Sequence, residues 1–184
     1  MAYISYVEDA QYQEALGSRQ TANLLRTIFH SPIWAKAFVQ LAIVQTTQLS
    51  LPAALRELVI MHTACLFQAE YVWAQHEGLS QMAGITKEQR DNLRRGNIDA
   101  TVFSEKQKVL LHFITRLQQG EAFNENEIKT LSAYFSEQEL IEIVGVHGFA
   151  YTVAKLTRTF DVEVDPIDPE SITDFVNTVA RQSN

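Results

Sequence analysis

The 184-residue chain has little cysteine, proline or glycine and no excess of positive charge. Its one cysteine, Cys65, excludes an intrachain disulfide and any Cys-x-x-Cys pair, and favours a cytoplasmic protein. Seven scattered glycines form no phosphate-binding loop. Fifteen Lys and Arg against 22 Asp and Glu give a net charge of -7, so we expect no nucleic-acid partner and no anionic membrane surface.

Long apolar runs are also missing. The longest stretch without a charged residue, 37–55, contains several glutamines and threonines and Pro52, so it would insert poorly into a bilayer. The N-terminal residues lack the basic and apolar regions of a signal peptide. The sequence therefore predicts no membrane association.

Helix-start signals recur along the chain. Ser or another N-cap residue is followed three positions later by Gln, Glu or Asp at Thr86, Ser104, Asn124, Ser136 and Ser171. Gly84, Gly96 and Gly120 stand where helices would end. Apolar residues recur at spacings of three and four, and no segment alternates as a strand would. The pattern predicts an all-α fold with helices near 18–30, 32–47, 51–66, 69–83, 86–95, 104–119, 124–133, 136–159 and 169–182.

No linker or low-complexity tract divides the chain, so we expect a single domain over 1–184. The acidic segment 161–170 is predicted to be an extended connector to a last docking helix, 169–182. About nine amphipathic helices in so short a chain cannot all bury their apolar faces in one core, which favours a homo-oligomer.

The five histidines do not form a metal site by spacing. His76-Glu77 begins like a zinc-protease motif, but Ser80 occupies the place of the second histidine. We therefore expect neither a metal nor a cofactor. Three histidines are interpreted as structural, namely His62, His112 and His147. Gly145 and Gly148, within one predicted helix, indicate close helix packing.

Ionisable and aromatic residues are densest over 55–84. Arg56-Glu57-Leu58, then Glu70-Tyr71, Trp73, His76 and Gly84, resemble the hallmark of the carboxymuconolactone decarboxylase and alkyl hydroperoxidase D family. The resemblance extends over about 20–165. It implies a multi-helix bundle of the alkyl hydroperoxidase D type, assembled as a trimer or a pair of trimers, that acts on a small molecule.

The resemblance also implies the site residues Glu57, His76 and Tyr71. Glu57 and His76 are 19 residues apart, which on one continuous helix would leave them about 100° apart. We therefore predict a break near Phe67-Gln68 that folds a second helix back and brings the two side chains together. The carboxylate would then orient the imidazole, and Tyr71 would be a further proton donor.

Two departures from the family pattern bear on the chemistry. The peroxidase branch has a Cys-x-x-Cys pair where this chain has Ala69 and Val72, and peroxide reduction needs a thiolate and a resolving thiol. Cys65, one turn earlier, is interpreted as a small buried hydrophobe. Decarboxylase-like members often carry Glu at the place of Val72, so that carboxylate is missing as well.

Three functions remain open at this point. The first is decarboxylation or a related proton transfer on a small carboxylate or lactone, with Glu57 and His76 as the acid–base pair. The second is the thiol peroxidase activity that a family-level comparison suggests, which the missing Cys-x-x-Cys pair disfavours. The third is a non-catalytic oligomeric binding or scaffold protein, in which Glu57 and His76 are structural and Tyr71 is packing.

Overall fold

The computed structural model describes residues 2–16 and 22–165. Within this part of the chain every regular element is an α-helix, so the predicted all-α class is confirmed. The helices are α1 (Asp9–Leu16), α2 (Asn23–Ile28), α3 (Pro32–Thr47), α4 (Ala53–Phe67), α5 (Glu70–Met82), α6 (Lys87–Arg94), α7 (Glu105–Gln118), α8 (Glu125–Ser132) and α9 (Glu137–Thr159). The helix predicted at 169–182 and the capping box at Ser171 lie outside the described residues.

Four predicted capping boxes are present and start helices α6 to α9. The side chains of Thr86, Ser104 and Asn124 each accept a hydrogen bond from the backbone N–H of the residue three positions later. The side chain of that later residue in turn accepts from the backbone N–H of the N-cap residue. Ser136 and Glu139 make the same reciprocal pair. Each box satisfies two backbone donors that a helix start otherwise leaves unpaired, so local sequence determines where these helices begin.

The structure corrects the predictions at three places. Helix α1 was not expected, because the apolar residues of 9–16 are few; its buried side chains are Tyr12 and Leu16. Of the helix predicted at 18–30, residues 18–21 lie outside the described part of the chain, and α2 covers Asn23–Ile28, ending two residues early. The close packing predicted at Gly145 and Gly148 is wrong among the described residues, since apart from the helix's own nearby backbone no atom of theirs lies within 4 Å of the position that a Cβ would take at either residue.

The chain divides into two units by its internal contacts. The first comprises the described residues up to Leu49 and from Lys155 onward. Its core has the buried side chains Tyr12, Leu16, Leu25, Ile28, Phe29, Ala35, Val39 and Ile43. Arg26 donates to both carboxylate oxygens of Asp9, at 2.6 and 2.8 Å, and the Asp165 carboxylate accepts from the backbone N–H of Asn23 at the start of α2.

The second unit, Ser50–Ala154, is built around α4. This helix packs against α5, α6 and α7, and leaves residues such as Leu58, Val59 and Met61 without exposed surface. Glu142 of α9 accepts hydrogen bonds from the backbone N–H groups of Ser50 and Leu51, which fixes the entry to α4. The prediction of one domain over 1–184 stays a prediction. None of the described helices is long and apolar enough to cross a membrane.

Candidate functional site

The turn between α4 and α5 positions the candidate residues. Gln68 ends α4 in the left-handed conformation, with φ of 51°, and the N–H of Ala69 bonds to the carbonyl of Ala64 at 2.8 Å. This 6→1 hydrogen bond after a left-handed residue is the Schellman arrangement, which closes a helix and reverses the chain. The predicted break near Phe67-Gln68 is therefore confirmed.

The reversal brings Glu57 and His76 into direct contact, as predicted. The imidazole Nδ1 lies 2.9 Å from Glu57 Oε2. Because a carboxylate only accepts hydrogen bonds, Nδ1 carries the proton and donates it, which fixes the ring orientation. The Glu57 side chain is 4% exposed and that of His76 is 26% exposed. A buried carboxylate thus holds an imidazole that solvent or a ligand can reach.

The other ring nitrogen, Nε2, is the one available for chemistry. Among the residues that the structure describes, no protein hydrogen bond to His76 Nε2 is formed, whereas Nδ1 is committed to Glu57. The second carboxylate oxygen of Glu57 lies 3.9 Å from Nε of Arg56. The site therefore contains an oriented imidazole backed by an acid and a nearby guanidinium, a combination suited to proton transfer.

Tyr71 lies on α5 together with His76. It is buried in the first turn of α5. Five residues separate it from His76, which is about 140° around a helix axis, so the two side chains leave α5 on different faces. Tyr71 as a further proton donor stays a prediction, and helix geometry gives it no support.

The two positions that carry cysteine in the peroxidase branch are buried and apolar here. Ala69 and Val72 are nearly inaccessible, and neither offers a nucleophile. Cys65 is half-buried, and burial raises the pKa of its thiol to about 11. The sulfur is therefore held as the protonated thiol near neutral pH, the form that is the poorer nucleophile.

The histidines interpreted as structural make polar contacts of two kinds. His62 Nε2 lies 2.8 Å from the Thr115 hydroxyl, and His147 Nδ1 lies 3.0 Å from that of Thr63. Each hydroxyl donates to a backbone carbonyl of its own helix, so each imidazole acts as the donor. Burial lowers the pKa of both. His112 is instead exposed and pairs with Asp99 at 2.7 Å. No group of three His, Cys, Asp or Glu able to hold a metal ion occurs over residues 2–16 and 22–165.

A cavity of about 190 Å³ lies at the α4–α5 turn, entirely within the second unit. Its wall brings together residues that the sequence analysis did not combine: Ala64, Cys65, Gln68, Ala69, Glu70, Trp73 and Arg94. Arg94, in the last turn of α6, donates to both carboxylate oxygens of Glu70 at 2.9 and 3.0 Å. Its guanidinium carbon stacks 4.2 Å from the centre of the Trp73 ring. No spacing signal links residues 24 positions apart on different helices, so this cluster was missed.

Comparisons with known proteins support the fold. No family sequence model matches the chain, and no curated protein sequence matches it significantly. Among solved structures, an uncharacterised peroxidase-related protein from Ralstonia eutropha, with the alkylhydroperoxidase AhpD core, aligns at a TM-score of 0.75 and 16% identity over 90% of this chain and 93% of that one. An uncharacterised peroxidase-related protein from a Silicibacter species aligns at 0.72 and 16% identity over 86% and 83%.

A debrominase is also similar in structure. Its Cys-to-Ala variant, solved in complex with 2,3,4-tribromopyrrole, aligns at a TM-score of 0.68 and 16% identity over 91% of this chain and 88% of that chain. At such identities the likeness establishes the fold and not the activity. The chain has the AhpD-like all-α fold that its sequence resemblance implied.

Proposed function

We propose that this protein is an acid–base enzyme that transfers a proton on a small carboxylate or lactone, with decarboxylation as the favoured reaction. The observation that carries the proposal is the 2.9 Å contact between the buried Glu57 carboxylate and Nδ1 of the partly exposed His76. A His–Glu pair that only stabilised the fold would not need an accessible imidazole, and both of its groups could be buried. An imidazole fixed on one side and accessible on the other has the arrangement that general acid–base catalysis requires.

The chemistry follows from the proton inventory of the pair. When a carboxylate substrate loses CO₂, the C–C bond breaks and its electron pair stays on the adjacent carbon as a carbanion or enolate. His76, protonated on both nitrogens, delivers the Nε2 proton to that carbon. The neutral ring that remains still donates its Nδ1–H to Glu57, so the orienting hydrogen bond persists through the step. The reverse transfer lets neutral Nε2 act as a base.

Thiol peroxidase activity has less support. Two of the structural neighbours are peroxidase-related, which keeps the activity under consideration. In this chain, however, the only sulfur nucleophile is Cys65, whose thiol burial keeps protonated, and the resolving position has no sulfur. We expect no steady-state peroxide consumption with a dithiol reductant, and turnover that disappears in Cys65→Ser would promote this alternative.

The proposal is tested by following hydrogen exchange with solvent, which needs no knowledge of the product. Small β-keto carboxylates and unsaturated carboxylactones are incubated with the protein in D₂O, and deuterium incorporation and CO₂ release are measured. Glu57→Gln and His76→Asn should each lower the rate about 100-fold or more, the contribution usual for a positioned acid–base group.

The matched control is the exposed pair of His112 and Asp99, which has the same chemical groups at 2.7 Å. His112→Asn should leave the rate unchanged. If no compound reacts faster than it does without protein, or if Glu57→Gln and His112→Asn behave alike, the enzymatic function is wrong and the binding or scaffold alternative is favoured.

A further inference from the structure

We propose that the cavity at the α4–α5 turn binds a small carboxylate with a planar, largely apolar body, and that Arg94 is the residue that binds its carboxylate group. The assignment of this ligand as the substrate rests on the proposed function of Glu57 and His76. The binding site itself stands on the cavity and on Arg94. Neither was connected with a ligand by the sequence.

The cavity lies on the helix faces that carry the acid–base pair. Trp73 is three residues before His76, so the two share a face of α5. Ala64 is seven residues after Glu57, so these two share a face of α4. Along α5 the step from Trp73 to His76 is about 4.5 Å. Of the lining residues on α5, Trp73 is thus about one helical turn from His76.

The size and lining of the cavity restrict its occupant. Its volume of about 190 Å³ is below the range of about 300–1,000 Å³ for drug-sized ligands. Its lining combines the apolar or weakly polar residues Ala64, Ala69, Cys65 and Trp73 with the polar residues Arg94, Glu70 and Gln68. This division suits a compact amphipathic molecule with a polar group at one end.

Arg94 is prepared to bind an oxyanion. Stacking on the buried Trp73 ring holds the guanidinium plane, with its carbon 4.2 Å from the ring centre. Glu70 accepts from Nη1 and Nη2, which shows that this guanidinium can hold a carboxylate in two-point fashion. A guanidinium has five N–H donors, and this pairing engages two of them.

The Glu70 carboxylate occupies the Arg94 donors that a ligand carboxylate would use, so it competes with the ligand. Its side chain is 65% exposed, and an ion pair so accessible to water contributes little net stability. A ligand carboxylate can therefore share Arg94 or displace Glu70 at low cost. Removing the negative charge of Glu70 should strengthen anion binding, whereas a purely structural Glu70–Arg94 pair gives no such gain.

The test uses benzoate as the probe and the indole N–H signal of Trp73 in ¹H–¹⁵N NMR spectra as the readout. Trp34, the other tryptophan, lies in the first unit and serves as an internal reference. Benzoate should shift the Trp73 signal in a saturable way and leave that of Trp34 unchanged. Benzamide, a neutral molecule of the same shape, should bind at least tenfold more weakly.

Three variants separate binding from structure. Glu70→Gln should bind benzoate at least threefold more tightly, and Arg94→Gln at least tenfold more weakly. Arg95→Gln, which removes the same charge from the adjacent exposed residue, should bind as the parent does. If Arg94→Gln does not fold, the gain in Glu70→Gln decides the question. Unchanged or weaker binding in Glu70→Gln, or equal affinity for benzamide, would overturn the proposal.

Failure of this proposal and failure of the proposed function give different results. Glu57→Gln and His76→Asn should bind benzoate within twofold of the parent, because neither residue lines the cavity. Benzoate binding without any hydrogen exchange would leave the cavity assignment intact and remove the acid–base function. If the parent protein does not bind benzoate and its hydrogen exchange is unchanged in Arg94→Gln, the cavity assignment is wrong and the acid–base function stands.

Discussion

At the scale of single residues, burial and partner distinguish groups of the same chemical type. In the part of the chain that the structure describes, two His–carboxylate pairs of similar length occur, one at His76 and Glu57 and the other at His112 and Asp99. In the second pair both side chains are more than half exposed, and such a pair contributes about 1 kcal/mol or less. In the first, the carboxylate is buried and cannot exchange its partner for water, so the imidazole is held in one orientation.

Cys65 provides a residue-scale prediction about reactivity. Because burial raises the pKa of its thiol to about 11, the thiolate fraction at pH 7 should be on the order of 100-fold below that of an ordinary cysteine. Its reaction with a disulfide reagent should be slow at pH 7 and rise about tenfold per pH unit up to pH 10. A fast, pH-independent reaction would contradict this and reopen the thiol-based alternative.

His62 provides a second residue-scale prediction, which concerns how the free energy of unfolding depends on pH. Burial lowers the pKa of this imidazole to about 4, against about 6.5 in the unfolded chain. Above pH 6.5 the His62 imidazole is neutral in both the folded and the unfolded chain, so its contribution to the free energy of unfolding does not change with pH. As the pH falls from 6.5 to 4, only the unfolded chain takes up the proton, so the free energy of unfolding should fall by about 3 kcal/mol, an order-of-magnitude figure.

The measurement is denaturant unfolding at pH 7.5, 6, 5 and 4. His62→Gln should reduce the dependence on pH in this window, and by more than His112→Gln does at an exposed histidine. His147, whose pKa burial also lowers, contributes with the same sign. Equal pH dependence in the parent and in His62→Gln would mean that this imidazole is not responsible.

The residues of the candidate site were predictable only in part. The family resemblance implies Glu57 and His76 as site residues, and the predicted break near Phe67-Gln68 supplies the chain reversal that lets their side chains meet. The cluster of Arg94, Trp73 and Glu70 depends on where α6 comes to lie against α5, which no periodicity encodes.

At the scale of elements, local signals account for most boundaries. Helices α6 to α9 begin at capping boxes that can be recognised from residue types three positions apart. The three glycines predicted at helix ends, Gly84, Gly96 and Gly120, all have positive φ. Helix α1 was missed because tertiary burial of Tyr12 and Leu16, rather than a continuous apolar stripe, stabilises it.

The turn at Gln68 provides the element-scale prediction. A non-glycine residue in the left-handed region costs about 1 kcal/mol, and glycine adopts it without strain. Gln68→Gly should therefore raise the free energy of unfolding, by up to about 1 kcal/mol less the entropy that glycine adds to the unfolded chain. Gln68→Val should lower it, because a β-branched side chain fits this conformation poorly. Denaturant midpoints of the two variants check both signs.

At the scale of the whole molecule, an exposed apolar face indicates assembly. On α9, within the second unit, Ile141 is 75% exposed and Val144 is 44% exposed. Gly145 and Gly148 share this face, and over residues 2–16 and 22–165 nothing fills the space where a side chain would be at either one. A face of large apolar and very small residues admits close approach of another helix, and its lack of charge lets two copies of an acidic chain meet there. We therefore propose that a second copy of this chain covers this part of α9.

The resulting prediction concerns mass in solution. Light scattering coupled to size exclusion should show a homo-oligomer at micromolar concentration, a trimer or a pair of trimers as the sequence resemblance implies. Ile141→Glu together with Val144→Glu should reduce the mass, because association would bury two carboxylates without partners. Met82→Glu, which adds one such charge at another exposed apolar residue of the unit, should leave the mass unchanged. A monomeric parent protein would contradict oligomerisation itself, whereas an assembly that persists in the double variant would place the interface elsewhere than on α9.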